Sequence, residues 1–197
     1  MKRSLWVTAL LLSAAACHGG NNVVVRASLG EGGAQPVGDL PVLLLPYDRQ
    51  AVLDSIAEDN DSPEPKIPRD AVTRLRSLQA AEAAVKAKGD TAVGAIEAQR
   101  RTLLAQIDSI RTAREAWLKD NRDDYDKAVE GRPAKTDTTK ANGRAGFGAD
   151  PGKYWVSARY VLPDAILEWS VPVTVTKHDS VVVRLTRRNA REEPPPP

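Results

Sequence analysis

Residues 136–160 read TDTTKANGRAGFGADPGKYWVSARY, and their order of turns and alternating apolar residues sets the fold class. Asn142 and Gly143 form a tight turn before Ala145 and Phe147, because only such residues accept positive φ at little cost. Pro151 and Gly152 form a second turn, after which Tyr154, Val156, Ala158 and Tyr160 alternate as in a strand with one face inward. The pattern continues outward on both sides. Leu167, Trp169, Val171, Val173 and Val175 share one face, with Glu168, Ser170 and Thr174 on the other. Pro172 lacks a donor and marks an edge or a bulge. Lys177–Asp179 turns the chain, and Val181, Val183 and Leu185 return. Upstream, Val23, Val25, Ala27 and Leu29 make a first strand. A glycine-rich turn over Gly30–Gly38 then leads into a second, Pro41–Tyr47.

Between these β parts the composition changes. Asp70–Val129 contains no proline and is rich in Ala, Glu, Lys, Arg and Gln, with apolar residues three and four apart, which predicts helix. Pro68 and Asp70 supply a helix start, with Asp70 as N-cap, and the first helix is expected to end near Ala87. Lys88–Thr91 is the expected turn into a second helix. There Ile96, Leu103, Ile110 and Trp117 recur every seven residues with Ile107 between, while Arg100 and Arg114 occupy the remaining seam positions. This weak heptad stripe, reaching up to about 50 Å, is longer than the first helix covers. It is therefore either the inner face of an antiparallel helical hairpin or a face for a protein partner or a second copy. Breaker segments, Glu58–Arg69 and Gly131–Gly152, flank the helices. Glu192–Pro197 ends in four prolines and is expected to be an extended, mobile tail.

Taken together, the turn at Gln35–Val42, the hairpin at Thr139–Phe147 and the Pro-Gly-x-Tyr strand at Pro151–Ala158 resemble the carboxypeptidase regulatory-like domain. That resemblance implies an α+β chain, in which a transthyretin-like Greek-key β-sandwich is interrupted by an inserted antiparallel helical hairpin. The expected division is 17–48 and 136–190 for the sandwich, 49–135 for the insertion and 191–197 for the tail. It also implies a non-catalytic accessory module.

The N-terminus addresses location. Lys2 and Arg3, an apolar run from Leu5 to Ala16, and Ala14–Ala16 have the layout of a signal peptide over residues 1–16. The run is shorter than the roughly 20 residues that span a bilayer. The small residues before Cys17 resemble the bacterial lipobox, although Ala14 stands where that pattern favours leucine. The resemblance implies cleavage before Cys17, a lipid on its thiol and a cell-envelope location, at the outer membrane on its periplasmic side or surface. Removing Lys2 and Arg3 reduces the 28 basic residues to 26, equal to the 26 acidic ones. A mature chain with no net charge carries no footprint for nucleic acid, and no general attraction to anionic lipid. The partners expected are thus the membrane, through the lipid, and a protein partner or second copy at the helices. His18–Asn22 span at most about 18 Å. If the first two strands are antiparallel, the chain leaves Tyr47 near the end at which it entered.

Reagents for catalysis are sparse. The two histidines are His18 and His178, and no HExxH, CxxC, P-loop or G-x-S-x-G occurs, so no catalytic residue, metal or cofactor is expected. His178, Asp179 and Ser180 are adjacent in a turn and cannot form a relay. The acidic runs Glu58–Asp61 and Asp120–Asp126 lack the spacing of a calcium loop. Trp155 and Trp169 remain as candidates for stacking on a sugar in a carbohydrate-binding module, set against their use as core residues.

Overall fold

The computed structural model describes residues 22–88, 92–177 and 179–195. The expected signal peptide, Cys17, the glycine of the 88–91 turn, His178 and the last two prolines lie outside them. Among the described residues the chain is α+β, with nine strands in two sheets and four helices.

The first sheet holds β1 (Val23–Leu29), β2 (Gln35–Pro36), β5 (Arg144–Phe147) and β8 (Val181–Leu185); the second is ordered β4 (Lys135–Thr138), β3 (Pro41–Leu45), β6 (Gly152–Val161), β7 (Ile166–Val175) and β9 (Arg191–Glu193). Alternation decides what each strand buries. Val23, Val25 and Ala27 of β1, Phe147 of β5 and Val183 and Leu185 of β8 meet Val42, Leu44, Val156, Leu167 and Trp169 of the second sheet in one apolar cluster.

The turn chemistry is local and strict. Gly143 has φ 72°, and a Cβ placed on it would lie 2.3 Å from the Ala27 carbonyl oxygen. Thr139, wholly enclosed, accepts from the Leu40 amide at 2.9 Å and donates to the Val37 carbonyl at 2.7 Å, tying the loop before β3 to the one after β4.

All four helices fall between β3 and β4: α1 (Arg49–Asp59), α2 (Ala71–Ala87), α3 (Val93–Asp120) and α4 (Arg122–Ala128). Asp48 caps α1, accepting from the amide of Gln50 at 2.9 Å and that of Ala51 at 3.4 Å. Asp70 precedes α2 as expected but makes no side-chain cap, since its backbone is already helical (φ −86°, ψ −4°). Antiparallel α2 and α3 pack through Ala71 and Leu75 against Leu103 and Ile107.

Two further expectations fail. β8 does not return beside β7 but crosses to the first sheet and runs parallel to β1, with Val23 opposite Val181 and Ala27 opposite Leu185. That register puts the alternating Val183 and Leu185 beside Val25 and Ala27 in the common core. The C-terminus is likewise not a free tail. Arg191–Glu193 pairs with Ile166–Glu168 of β7, and Pro194 is fully buried, with its carbonyl accepting from Arg111. Beyond Glu168 no β9 residue pairs with β7, which leaves an open edge at Pro172.

The chain enters and leaves the sheets at one end. Asn22 exchanges hydrogen bonds with Ala149, the neighbouring Gly148 carbonyl accepts from Lys135, and Lys135 lies opposite Leu44. The helical segment therefore starts where β1 starts. It then spans the second sheet, because Arg76 of α2 bonds Asp164 and Glu192, both at 2.9 Å, at the opposite end. Farther along α2, the ion pairs among the described residues are Glu82 with Lys86 and Arg100, and Lys86 with Glu97, all within the hairpin.

Candidate functional site

A broad concave feature lies where β3 runs into α1. Tyr47 is buried there, its hydroxyl 3.3 Å from that of Tyr125 on α4, and the Arg132 guanidinium lies 5.2 Å from the centre of its ring. Trp155, opposite Leu45 in the ladder, points from the outer face of the second sheet toward the same space. Tyr47, Arg132 and Trp155, together with Asp59, Lys127 and Lys153, line a groove of about 810 Å³, with Tyr125 behind Tyr47, packed toward Leu53, Ile56 and Trp117. Burial, reinforced by the hydrogen bond to Tyr47, pushes the Tyr125 phenol up to about 12. Its proton is therefore held at neutral pH, so Tyr125 supports the Tyr47 wall through their hydroxyl contact rather than acting as a base. An aromatic wall with a rim of both charges suits a polar ligand with a flat apolar face.

The other sequence candidates are placed as follows. Trp169 is 2% exposed, sits in the common core and donates its indole N–H to the Thr186 carbonyl at 2.9 Å, so it offers no stacking face. Trp155 is half-buried and remains accessible through the groove. Most of the helical stripe is used within the chain. Leu103 and Ile107 are buried against Ile67, Ala71 and Leu75, with Ile110 packed on them. Trp117 is buried with Leu53 and Ile56 of α1 and donates to the Ser62 carbonyl at 2.9 Å. Ile96, toward the distal part of the hairpin, is half-buried like Ile110 but belongs to none of these apolar clusters. The excess length of α3 is thus covered by α1 and by the 62–69 segment. Arg100 and Arg114, the polar seam positions, pair with Glu82 and Glu64.

Among the described residues, no group of three or more His, Cys, Asp or Glu side chains is placed to hold a metal. No helix there is long and apolar enough to cross a membrane. The acidic stretches serve helix ends, with Asn60 donating to Asn121 at 2.6 Å and to Asp124 at 3.3 Å. Glu193 is an exception to this surface placement. Its carboxyl is buried with one oxygen lacking a hydrogen bond, and desolvation, followed by the nearby Glu168, raises its pKa despite Arg191 at 3.1 Å. The groove beside Tyr47 escaped sequence reading because its walls come from distant segments, at Tyr47, at Lys127 and Arg132, and at Trp155. No family model matches this chain, and no curated protein and no solved structure matches it either.

Proposed function

We propose that this chain is a lipid-anchored, non-catalytic protein of the bacterial cell envelope, held at the outer membrane by Cys17. In this reading the two sheets are a transthyretin-like Greek-key sandwich of the carboxypeptidase regulatory-like type, and the helical segment is an inserted interaction module. One observation carries the reading: entry at Asn22 and exit at Leu45 share one end, while among the described residues the ion pairs of the distal part of α2 and α3 lie within the hairpin. An anchor within about 18 Å of β1 then holds the sheets near the bilayer and leaves the distal hairpin accessible. Because Leu103, Ile107 and Trp117 are occupied internally, the partner surface moves from the heptad seam to that distal region.

Mass spectrometry of the mature N-terminus, with fractionation of a Cys17→Ser variant, tests the anchor. A diacylated Cys17 and release of the variant from the membrane are expected; an unmodified thiol overturns the reading. A second reading, glycan binding, is favoured by Trp155 in the groove. It predicts that Trp155→Ala abolishes capture on a cell-wall glycan resin, and a chain never captured by glycan excludes it.

A further inference from the structure

The outer face of the first sheet carries an arrangement that its own strands do not explain. Inward residues alternate with Val24 and Arg26 on β1, Arg144 and Gly146 on β5, and Val182 and Arg184 on β8. The ladders place Arg26 directly opposite Arg144 on one side and Arg184 on the other. Three arginines thus stand in one row across three strands, all exposed. With strands about 4.8 Å apart, the row spans roughly 10 Å. Like charges directly opposite each other destabilise a sheet. Several other arginines have carboxylate partners, among them Arg76, Arg100, Arg114, Arg159 and Arg187. Among the described residues, no carboxylate forms an ion pair with Arg26, Arg144 or Arg184. Beside the row lies a second one, Gly146, Val24 and Val182, with Val182 46% exposed.

The counter-charge that fits is a flat one. A single small anion on an open, water-facing sheet is poorly held, since nothing lowers the local dielectric. A planar array of phosphodiesters meets all three guanidinium groups at once, each fork suited to phosphate oxygens. Position agrees with this. Arg26 lies on the strand that follows Cys17, and the helices cover the outer face of the other sheet, where Arg49 and Gln50 lie over Leu43, Ser157 and Ser170. We infer that the outer face of the first sheet docks on an anionic phospholipid surface, with Arg26, Arg144 and Arg184 on headgroup phosphates and Val24 and Val182 at the interface. The inference rests on the Cys17 anchor, which keeps the face at high effective concentration beside the bilayer. The zero net charge of the expected mature chain is a total, and within it this row concentrates three positive charges on one face. Docked in this way, the protein holds its helical layer on the side remote from the lipid.

The test uses the full chain in vesicles of phosphatidylcholine, alone or mixed with phosphatidylglycerol, with a polarity-sensitive dye on Val182→Cys. A label on Ala98→Cys in the hairpin is the control. The expected result is a blue-shifted Val182 label shielded from an aqueous quencher in anionic vesicles only, with the docked fraction favoured roughly 100-fold by three basic contacts. The shielding is lost in high salt and in the R26Q/R144Q/R184Q variant, whose circular dichroism should match the parent. The Ala98 label stays aqueous throughout. A Val182 label equally exposed in both vesicle types, or shielding that survives in the triple variant, overturns the inference. Mass spectrometry of the same sample reports separately whether Cys17 carries lipid. An unmodified Cys17 with arginine-dependent shielding therefore refutes the anchor and not the docking face.

Discussion

Arg114 donates from Nε to Glu64 at 2.8 Å, and the Glu64 side chain is only 1% exposed. Glu64 lies in the irregular stretch between α1 and α2, and Gln50 of α1 donates to its other oxygen at 2.9 Å. One carboxylate thus ties three parts of the helical segment together. Replacing Arg114 by Leu leaves Glu64 enclosed with Gln50 and a distant Lys66 at 3.8 Å. Loss of about 3 kcal/mol is expected. A Glu64→Leu, Arg114→Leu double variant recovers most of it, as urea titration of all three variants would measure.

Gly143 tolerates no side chain, because its positive φ coincides with the close approach of the Ala27 carbonyl. Gly143→Ala should cost about 1–3 kcal/mol, while the neighbouring Asn142→Ala costs less, as its side chain accepts only the exposed Arg144 amide. Thermal melts compare the two, and equal losses would contradict the role assigned to Gly143.

The C-terminal strand clasps the helices to the second sheet. Arg76 and Arg187 both bond Asp164 and Glu192, and hydrogen bonds from Arg187, foremost, hold these two carboxyls below the usual range. Groups with depressed folded-state values stabilise above their unfolded values and lose that contribution as pH falls through the folded ones. Acidification below the ordinary carboxylate range should therefore loosen the clasp, and hydrogen exchange should show α2 losing protection. Arg76→Gln and Arg187→Gln together should flatten that acid response.

Glu193 acts with the opposite sign. Its folded-state value is raised, chiefly by desolvation, so its contribution to stability declines as pH rises through that value. Glu193→Gln should raise the melting temperature at neutral pH and have little effect in acid. A lower melting temperature at neutral pH would mean that its contact with Arg191 outweighs the desolvation.

Removing one member of the arginine row should stabilise the fold. Arg26 stands between two like charges, so Arg26→Gln is expected to gain about 0.2–1 kcal/mol, read by chemical denaturation at low salt. The gain should shrink as salt screens the repulsion.

The sequence by itself determined what depends on neighbours along the chain. The Asn142-Gly143 turn, the inward faces of β6 and β7 and the end of α2 at Ala87 follow from φ preference, two-residue alternation and helix period. Tertiary structure decided whatever depends on which distant segment supplies a partner. The alternation of Val181, Val183 and Leu185 suits β7 as well as β1, and only the shared core selects the parallel pairing with β1. The heptad stripe of α3 specifies an apolar face but not its occupant, which proves to be α1, α2 and the 62–69 segment. The proline-terminated end reads as tail until β7 offers it an edge. The row brings Arg26 beside Arg144 and Arg184, each more than a hundred positions away from it along the chain, so only the strand registers bring their charges together. Local sequence encodes conformation and parity, whereas pairing is selected by burial summed over the whole chain.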